Sequence, residues 1–207
     1  MKNRDMTIEL KASSQLPTRF GDFRLDIFAD NQGQEHMVLL AGSPKNGCLV
    51  RLHSECATGD ILGSLRCDCR DQLELSLRRI NDSGEGIFIY LRGHEGRGIG
   101  LANKIKAYAL QESGLDTVEA NLKLGFAPDQ RDYQNAFAIL KHYHIDQINL
   151  LTNNRSKIAA FENSGITVNE HMPLWTATNP HNENYVDTKQ KRMGHIPPVP
   201  VKITHLR

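Results

Sequence analysis

The sequence predicts an α+β protein with a β-rich N-terminal half and an αβ-layered C-terminal half, and three observations predict it. Apolar residues alternate with polar ones at Phe23, Leu25 and Ile27; the period then turns helical at Leu73, Leu77 and Ile80; and from there strand-like runs and helical faces take turns along the chain. With 207 residues the chain is long enough to bury one substantial core.

The elements follow in order. Residues 1–16 are polar and mixed and are expected to be flexible. Residues 19–27, 36–41 and 48–53 are β-like runs separated by Gly, Pro and Asn turns, which predicts an antiparallel sheet at the front. The helix carrying Leu73, Leu77 and Ile80 ends at Gly84, ahead of a strand at 87–91. Leu101, Ile105, Tyr108 and Ala109 mark a helix that closes near Gly114. A helix over 133–141 leads to a strand at 148–151, and a helix over 156–163 stops at Gly165 before a short strand at 166–168. Pro197, Pro198 and Pro200 lack amide donors, so the tail is expected to be flexible. The organisation expected is therefore a flexible 1–16, one domain over 17–195 and a flexible 196–207, without internal repeats.

Composition excludes several classes. Hydrophobic residues at 39% and charged residues at 24% fit a folded globular chain, not a disordered one. A net charge of +1 argues against nonspecific binding of nucleic acid, so any anion is held locally. No apolar run approaches the roughly 20 residues of a membrane span, and residues 1–16 hold no signal-like apolar core, so a cytoplasmic location is expected. Cys48, Cys56, Cys67 and Cys69 all fall in the first third, and thiols clustered in such a protein point to metal or catalysis.

Cys56, ten residues, Cys67, one residue and Cys69 would bring three thiolates around Zn²⁺ and leave its fourth tetrahedral position open, the catalytic type of site. Buried core thiols are the plainer reading, but Arg66 and Arg70 beside Cys-Asp-Cys make a polar setting for core filling. Cys48, in a Gly-Cys-Leu-Val run, reads as such a core thiol. His53-x-Glu55 before cysteines resembles zinc deaminases, yet those use Pro-Cys-x-x-Cys, and here the pair is Cys-x-Cys with no preceding Pro and a third Cys.

Three further segments can carry chemistry. Arg92-Gly-His-Glu-Gly-Arg-Gly-Ile-Gly100 follows a strand and opens a helix: its glycines could admit phosphate oxygens to backbone amides, with Arg97 adding a bidentate donor, or could merely permit a tight turn. His94 has no assigned task. Leu124-Gly-Phe-Ala-Pro-Asp-Gln-Arg-Asp-Tyr133 sets Asp129 two residues from Arg131, which alone reads as a helix cap with solvated charges. In Leu151-Thr-Asn-Asn-Arg-Ser-Lys157, residues Thr152, Asn153 and Lys157 either meet a base or phosphate at a strand end or cap a helix.

Taken in order, Arg51-Leu-His-Ser-Glu-Cys56, Ser64-Leu-Arg-Cys-Asp-Cys69, Glu95-Gly-Arg-Gly-Ile-Gly-Leu101, Lys104 to Leu110, Asp116-Thr-Val-Glu-Ala-Asn121 and Leu151-Thr-Asn-Asn154 closely resemble GTP cyclohydrolase II of riboflavin biosynthesis, over residues 16–195. The length leaves no room for a fused dihydroxybutanone-phosphate synthase domain, so the stand-alone form is expected. The resemblance implies conversion of GTP and water to formate, pyrophosphate and 2,5-diamino-6-ribosylamino-4(3H)-pyrimidinone 5′-phosphate, with Zn²⁺ for ring opening, Mg²⁺ on the triphosphate and a homodimer. By resemblance, Cys56, Cys67 and Cys69 bind zinc, and GTP contacts fall on Arg51, Leu52, His53, Ser54, Glu55, Gln72, Glu95, Gly96, Arg97, Thr117, Thr152 and Lys157. The proton acceptor falls on Asp129, a proposed nucleophile on Arg131 and the motif tyrosine on Tyr108. Arg92-Gly-His-Glu95 departs from a form of the motif with a single Gln between Arg and Glu, which alters loop length only. Covalent attack by Arg131 would need a proton removed from a very weak acid, so charge stabilisation is the alternative role. Two other functions compete: a hydrolase that stops at the formylamino compound or GMP, and a zinc- and nucleotide-binding regulator without turnover.

Overall fold

The computed structural model describes residues 7–196. Its centre is a seven-stranded mixed sheet built from β1 (Ile8–Thr18), β2 (Gly21–Asp30), β3 (Glu35–Ala41), β4 (Cys48–Ser54), β5 (Gly86–Leu91), β6 (Gln147–Leu151) and β7 (Thr167–Met172), in the order β1-β2-β3-β5-β4-β6-β7. The pairs β1–β2, β2–β3 and β3–β5 are antiparallel, whereas β4 lies parallel between β5 and β6, and β7 is parallel to β6. The antiparallel front therefore ends one strand earlier than expected. Residues 50–53 of β4 are all buried, the continuous pattern of a parallel strand covered on both faces.

Helices cover the two faces. On one, Leu77 and Ile80 of α1 (Cys69–Asp82) pack against Phe23, Phe88, Tyr90 and Leu151. On the other, Ala136, Phe137, Ile139 and Leu140 of α4 (Gln134–His142) pack with Phe161 against Phe28, Val50, Ile87, Ile89 and Ile148. Helices α2 (Leu101–Glu112), α3 (Thr117–Lys123) and α6 (Glu183–Arg192) pack in series, α2 on α3 and α3 on α6, and α5 (Arg155–Ala159) follows β6. Among the described residues no helix is long and apolar enough to cross a membrane.

Several expectations change. Residues 8–16 are not loose: they form most of β1 and pair with β2, with a bulge between Leu10 and Ala12. This edge strand is exposed along nearly its whole length; Ile8, Leu10 and Ala12 alternate with Glu9 and Lys11, but the pattern is short and gives way to polar residues from Ser13 to Gln15. The flexible tail expected over 196–207 lies, except for Ile196, outside the described residues. Helix α5 is shorter than 156–163, and β7 runs past 166–168. Short α3 and polar α6 had no apolar period to announce them. In α2 the side chains of Leu101 and Ile105 stand exposed, while Lys104 and Ala107 are buried; the helix turns a polar group inward.

Edge strand β1 is tied down by one buried carboxylate. Asp26 accepts hydrogen bonds from Ser13 Oγ at 2.5 Å and Tyr143 Oη at 2.6 Å, with Arg24 at 3.1 Å. Tyr143→Phe leaves this buried acceptor short of a partner and is expected to cost about 1–3 kcal/mol, read as a lower urea midpoint.

Candidate functional site

Because β4, β5 and β6 are mutually parallel, their carboxyl ends share one edge of the sheet, and the chains that leave those ends converge there. After β4 the chain passes Cys56 and turns through a single wide helical turn, Ala57–Ile61. It returns through Cys67 and Asp68 into α1, whose first residue is Cys69. The three sulfur atoms lie within 4.8 Å of one another, with Cys56 and Cys67 Sγ 3.7 Å apart. Gly59 makes this approach possible: a Cβ there would stand 2.8 Å from Cys67 Sγ and 3.1 Å from Cys56 Sγ. Asp60 locks the turn, accepting from Cys56 N at 3.0 Å and Tyr90 Oη at 2.8 Å and lying 3.1 Å from His53 Nε2.

The thiols share charge. Hydrogen bonds from Cys67 and Cys69, with the Lys104 ammonium 3.0 Å away, hold Cys56 far below the usual thiol range; donating to Cys56 pushes Cys67 up to about 11 and holds Cys69 well above its ordinary value. Lys104 also donates to Glu95 Oε1 at 2.6 Å, and Glu95 Oε2 accepts from Ala57 N at 2.6 Å. Three soft, converging sulfur donors on a cleft wall suit a thiophilic dication such as Zn²⁺, which would displace the remaining thiol protons and keep a coordination position facing the cleft. Cys48 sits in the core instead, where burial pushes its thiol up to about 11.

The same cleft, about 990 Å³ counted out to its open mouth, is lined with cations. Arg51 donates to Leu151 O at 3.0 Å and to Gln72 Oε1 at 2.8 Å, leaving Nε buried without a partner. Lys157 donates to Leu52 O at 2.7 Å, and burial together with Arg51 and Arg131 pushes its pKa well down. Arg97 has the left-handed φ of 68°, and both its terminal guanidinium nitrogens are buried without partners. Such a donor pair asks for an anion. Its neighbour Gly96, at φ 58°, has no room for a Cβ, which would meet Ile99 Cγ1 at 2.8 Å.

Asp129 grips Arg131 through Nε at 2.9 Å and Nη2 at 2.5 Å, and Arg131 Nη1 donates to Ser54 Oγ at 3.3 Å. Burial works to lower the Arg131 pKa, yet Asp129 outweighs it and holds the guanidinium charged; burial works to raise Asp129, yet Arg131 holds it down. Ser54 Oγ also lies 3.2 Å from His94 Nδ1, which gives His94 a place in the cleft wall.

Of the residues expected at the site, Arg51, His53, Ser54, Glu55, Gln72, Glu95, Gly96, Arg97, Tyr108, Thr117, Arg131, Thr152 and Lys157 line this one cleft with the three cysteines. Leu52 does not: its side chain is in the core, and only its carbonyl reaches the site, through Lys157. Asp129 acts from behind Arg131. His53 is stacked against Phe88 and Tyr90 with ring centroids 5.6 and 5.4 Å away. Glu55 accepts from Gly93 N at 2.8 Å and so anchors the glycine-rich loop. Pattern reading missed Gly59, Lys104, Tyr185 and Lys189; a lysine on the inward face of α2 was the one available signal, and α6 offered none.

Cys67→Ser is expected to lose bound zinc and Cys48→Ser to retain it, by metal analysis of the purified chains. Gly59→Ala, which alters no sulfur, is expected to weaken metal binding because its methyl group occupies the space between thiols.

A model of the GTP cyclohydrolase II family matches residues 9–173. GTP cyclohydrolase-2 of Azotobacter vinelandii is 52% identical over 194 residues, covering 92% of this chain and 93% of its own. The GTP cyclohydrolase-2 proteins of Colwellia psychrerythraea and Pseudomonas paraeruginosa are 49% and 50% identical, each over 92% of this chain and 95% and 94% of their own. With the thiol triad and the cationic cleft on one edge of the sheet, these likenesses place the chain in the GTP cyclohydrolase II family.

Proposed function

We propose that this chain hydrolyses GTP to formate, pyrophosphate and 2,5-diamino-6-ribosylamino-4(3H)-pyrimidinone 5′-phosphate, as a step of riboflavin biosynthesis. The observation that carries the reading is the meeting, in one cleft, of three converging thiols with the Arg97 guanidinium, whose two buried terminal nitrogens have no partner among the described residues. One feature suits a metal and the other a polyanion.

Zinc held by Cys56, Cys67 and Cys69 supplies Lewis acidity and lowers the pKa of water, the chemistry that opening the imidazole ring at C8 requires. Around it, Lys104 keeps Cys56 ionised and is itself fixed by Glu95. Tyr108, kept protonated by burial, holds a donor hydroxyl in the cleft wall. Arg97, Arg51 Nε and Lys157 receive the nucleotide's anionic oxygens, and Mg²⁺ accompanies the triphosphate in the same reading. Thr117, Thr152 and Gln72 supply uncharged polar contacts along the cleft.

Arg131 stabilises charge on the phosphates as pyrophosphate leaves. A nucleophilic arginine activated by Asp129 would need the two pKa values drawn together, whereas their bidentate pairing drives Arg131 up and Asp129 down. Homodimerisation belongs to the same reading; Ile61, Leu62 and Leu65 support it, being large apolar side chains exposed close together beside the thiols.

Incubation with GTP and Mg²⁺ is expected to yield both formate and the diaminopyrimidine. A formylamino product or GMP alone would mean a partial hydrolase, and no product a regulator. Cys56→Ser is expected to release pyrophosphate without formate, since it damages the ring-opening side only. For Arg131, electrostatic action predicts that Arg131→Lys keeps part of the rate, that Arg131→Ala loses pyrophosphate release, and that early-quenched wild type carries no guanylate on the peptide containing Arg131. A guanylate mass on that peptide would establish the covalent route instead.

A further inference from the structure

We propose that α6 clasps the metal-binding turn, with Lys189 as a positioning residue that fixes Asp68 and, through it, Cys67 and Cys69; this rests on the reading that the three cysteines hold a metal. Asp68 lies between two of the sulfur donors, and its carboxylate is almost fully buried. Both of its oxygens are engaged: Oδ1 accepts from Lys189 Nζ at 2.5 Å and Oδ2 from Gln72 Nε2 at 2.6 Å. Gln72 in turn accepts from Arg51, so the turn is braced on one side by β4 and on the other by α6.

The helix is held to the body by polar contacts rather than by a core. Of its ten residues only Val186 and Lys189 are buried. Its far end is fastened where Arg192 pairs with Asp116 at the start of α3, and where Ile196 N donates to Asn153 O at 2.9 Å beyond β6. Lys189 thus delivers, from a surface helix, the charge that compensates a buried carboxylate at the thiols. It does so over the ring of Tyr185, 4.3 Å from the ammonium, and both side chains face the cleft. The helix and Lys189 lie outside residues 9–173 matched by the family model, whereas Asp68 and Gln72, which they brace, lie within it.

Removing Lys189 leaves the buried Asp68 carboxylate without a counter-charge and with Gln72 alone on Oδ2, which the turn relieves by moving toward water and drawing Cys67 and Cys69 apart. The test is the rate at which the zinc-loaded full chain surrenders metal to a coloured chelator, which requires no turnover. Lys189→Met is expected to release zinc about 10–100-fold faster than wild type, the usual cost of losing a group that orients metal ligands. Lys189→Arg is expected to restore most of the retention, and Asp68→Asn with Lys189→Met, which removes the buried charge along with its partner, to release zinc more slowly than Lys189→Met alone. Lys189→Gln is expected to show the same acceleration and serves if Lys189→Met does not fold. Wild-type release rates in both neutral variants would overturn the proposal while leaving the metal reading intact. Failure of the wild-type chain to take up zinc would overturn both.

Discussion

Three parallel strands ending on the same edge of a sheet impose the arrangement on which the rest of this molecule depends. The ends of β4, β5 and β6 carry, in turn, the first thiol, the glycine-rich loop and the Thr152–Asn154 segment. None of these segments is adjacent in sequence to the others, and none could meet without the parallel register. The antiparallel strands β1 to β3 extend the same sheet away from the site and enlarge the core beneath it.

At that edge the protein solves a problem of like charge. Arg51 and Lys157 are buried next to each other's fields, yet each donates to a strand carbonyl, Leu151 and Leu52 respectively, rather than to a carboxylate. A carbonyl dipole holds a cation without cancelling its charge, so the wall stays attractive to an anion. Lys104, Arg131 and Lys189 are treated differently: each is matched with a carboxylate at 2.6 Å or less, which fixes its position and keeps it protonated. The cleft thus contains cations held without a counter-charge and cations fixed by one, and Arg131, in the second set, is held in place by Asp129 while still facing the cleft.

Much of this was legible in the chain, for identifiable reasons. The thiol spacing and the glycine-rich loop are local, so Cys56, Cys67, Cys69 and Arg97 could be named before any fold was known, whereas Arg131 was assigned to the site by family resemblance alone, and the structure brings all five to one cleft. The helical period of Leu77 and Ile80 was equally readable because α1 has one dry face. Leu52 reaches the site through its carbonyl alone, because a motif names a stretch of chain, while alternation along a strand decides which side chains in it face the cleft. Strand β1 and helix α6 were missed for the opposite reason: each is fixed by backbone pairing or by distant ion pairs, so α6 has no apolar period and the brief alternation of Ile8, Leu10 and Ala12 in β1 stands among mostly polar residues. Gly59 was invisible because its importance lies in what surrounds it, two sulfur atoms separated from it in the chain.

All three sulfur donors belong to a single crossover, the connection that leaves β4 and returns through α1 to β5. None of them belongs to the two clusters of apolar side chains that hold helices against the sheet. Metal capture by these thiols would therefore close only a short loop, on a scaffold whose layers are assembled from other residues. The layers of the sheet thus rest on side chains other than the three thiols, so replacing a thiol disturbs one connection and leaves the apolar contacts between helices and sheet in place.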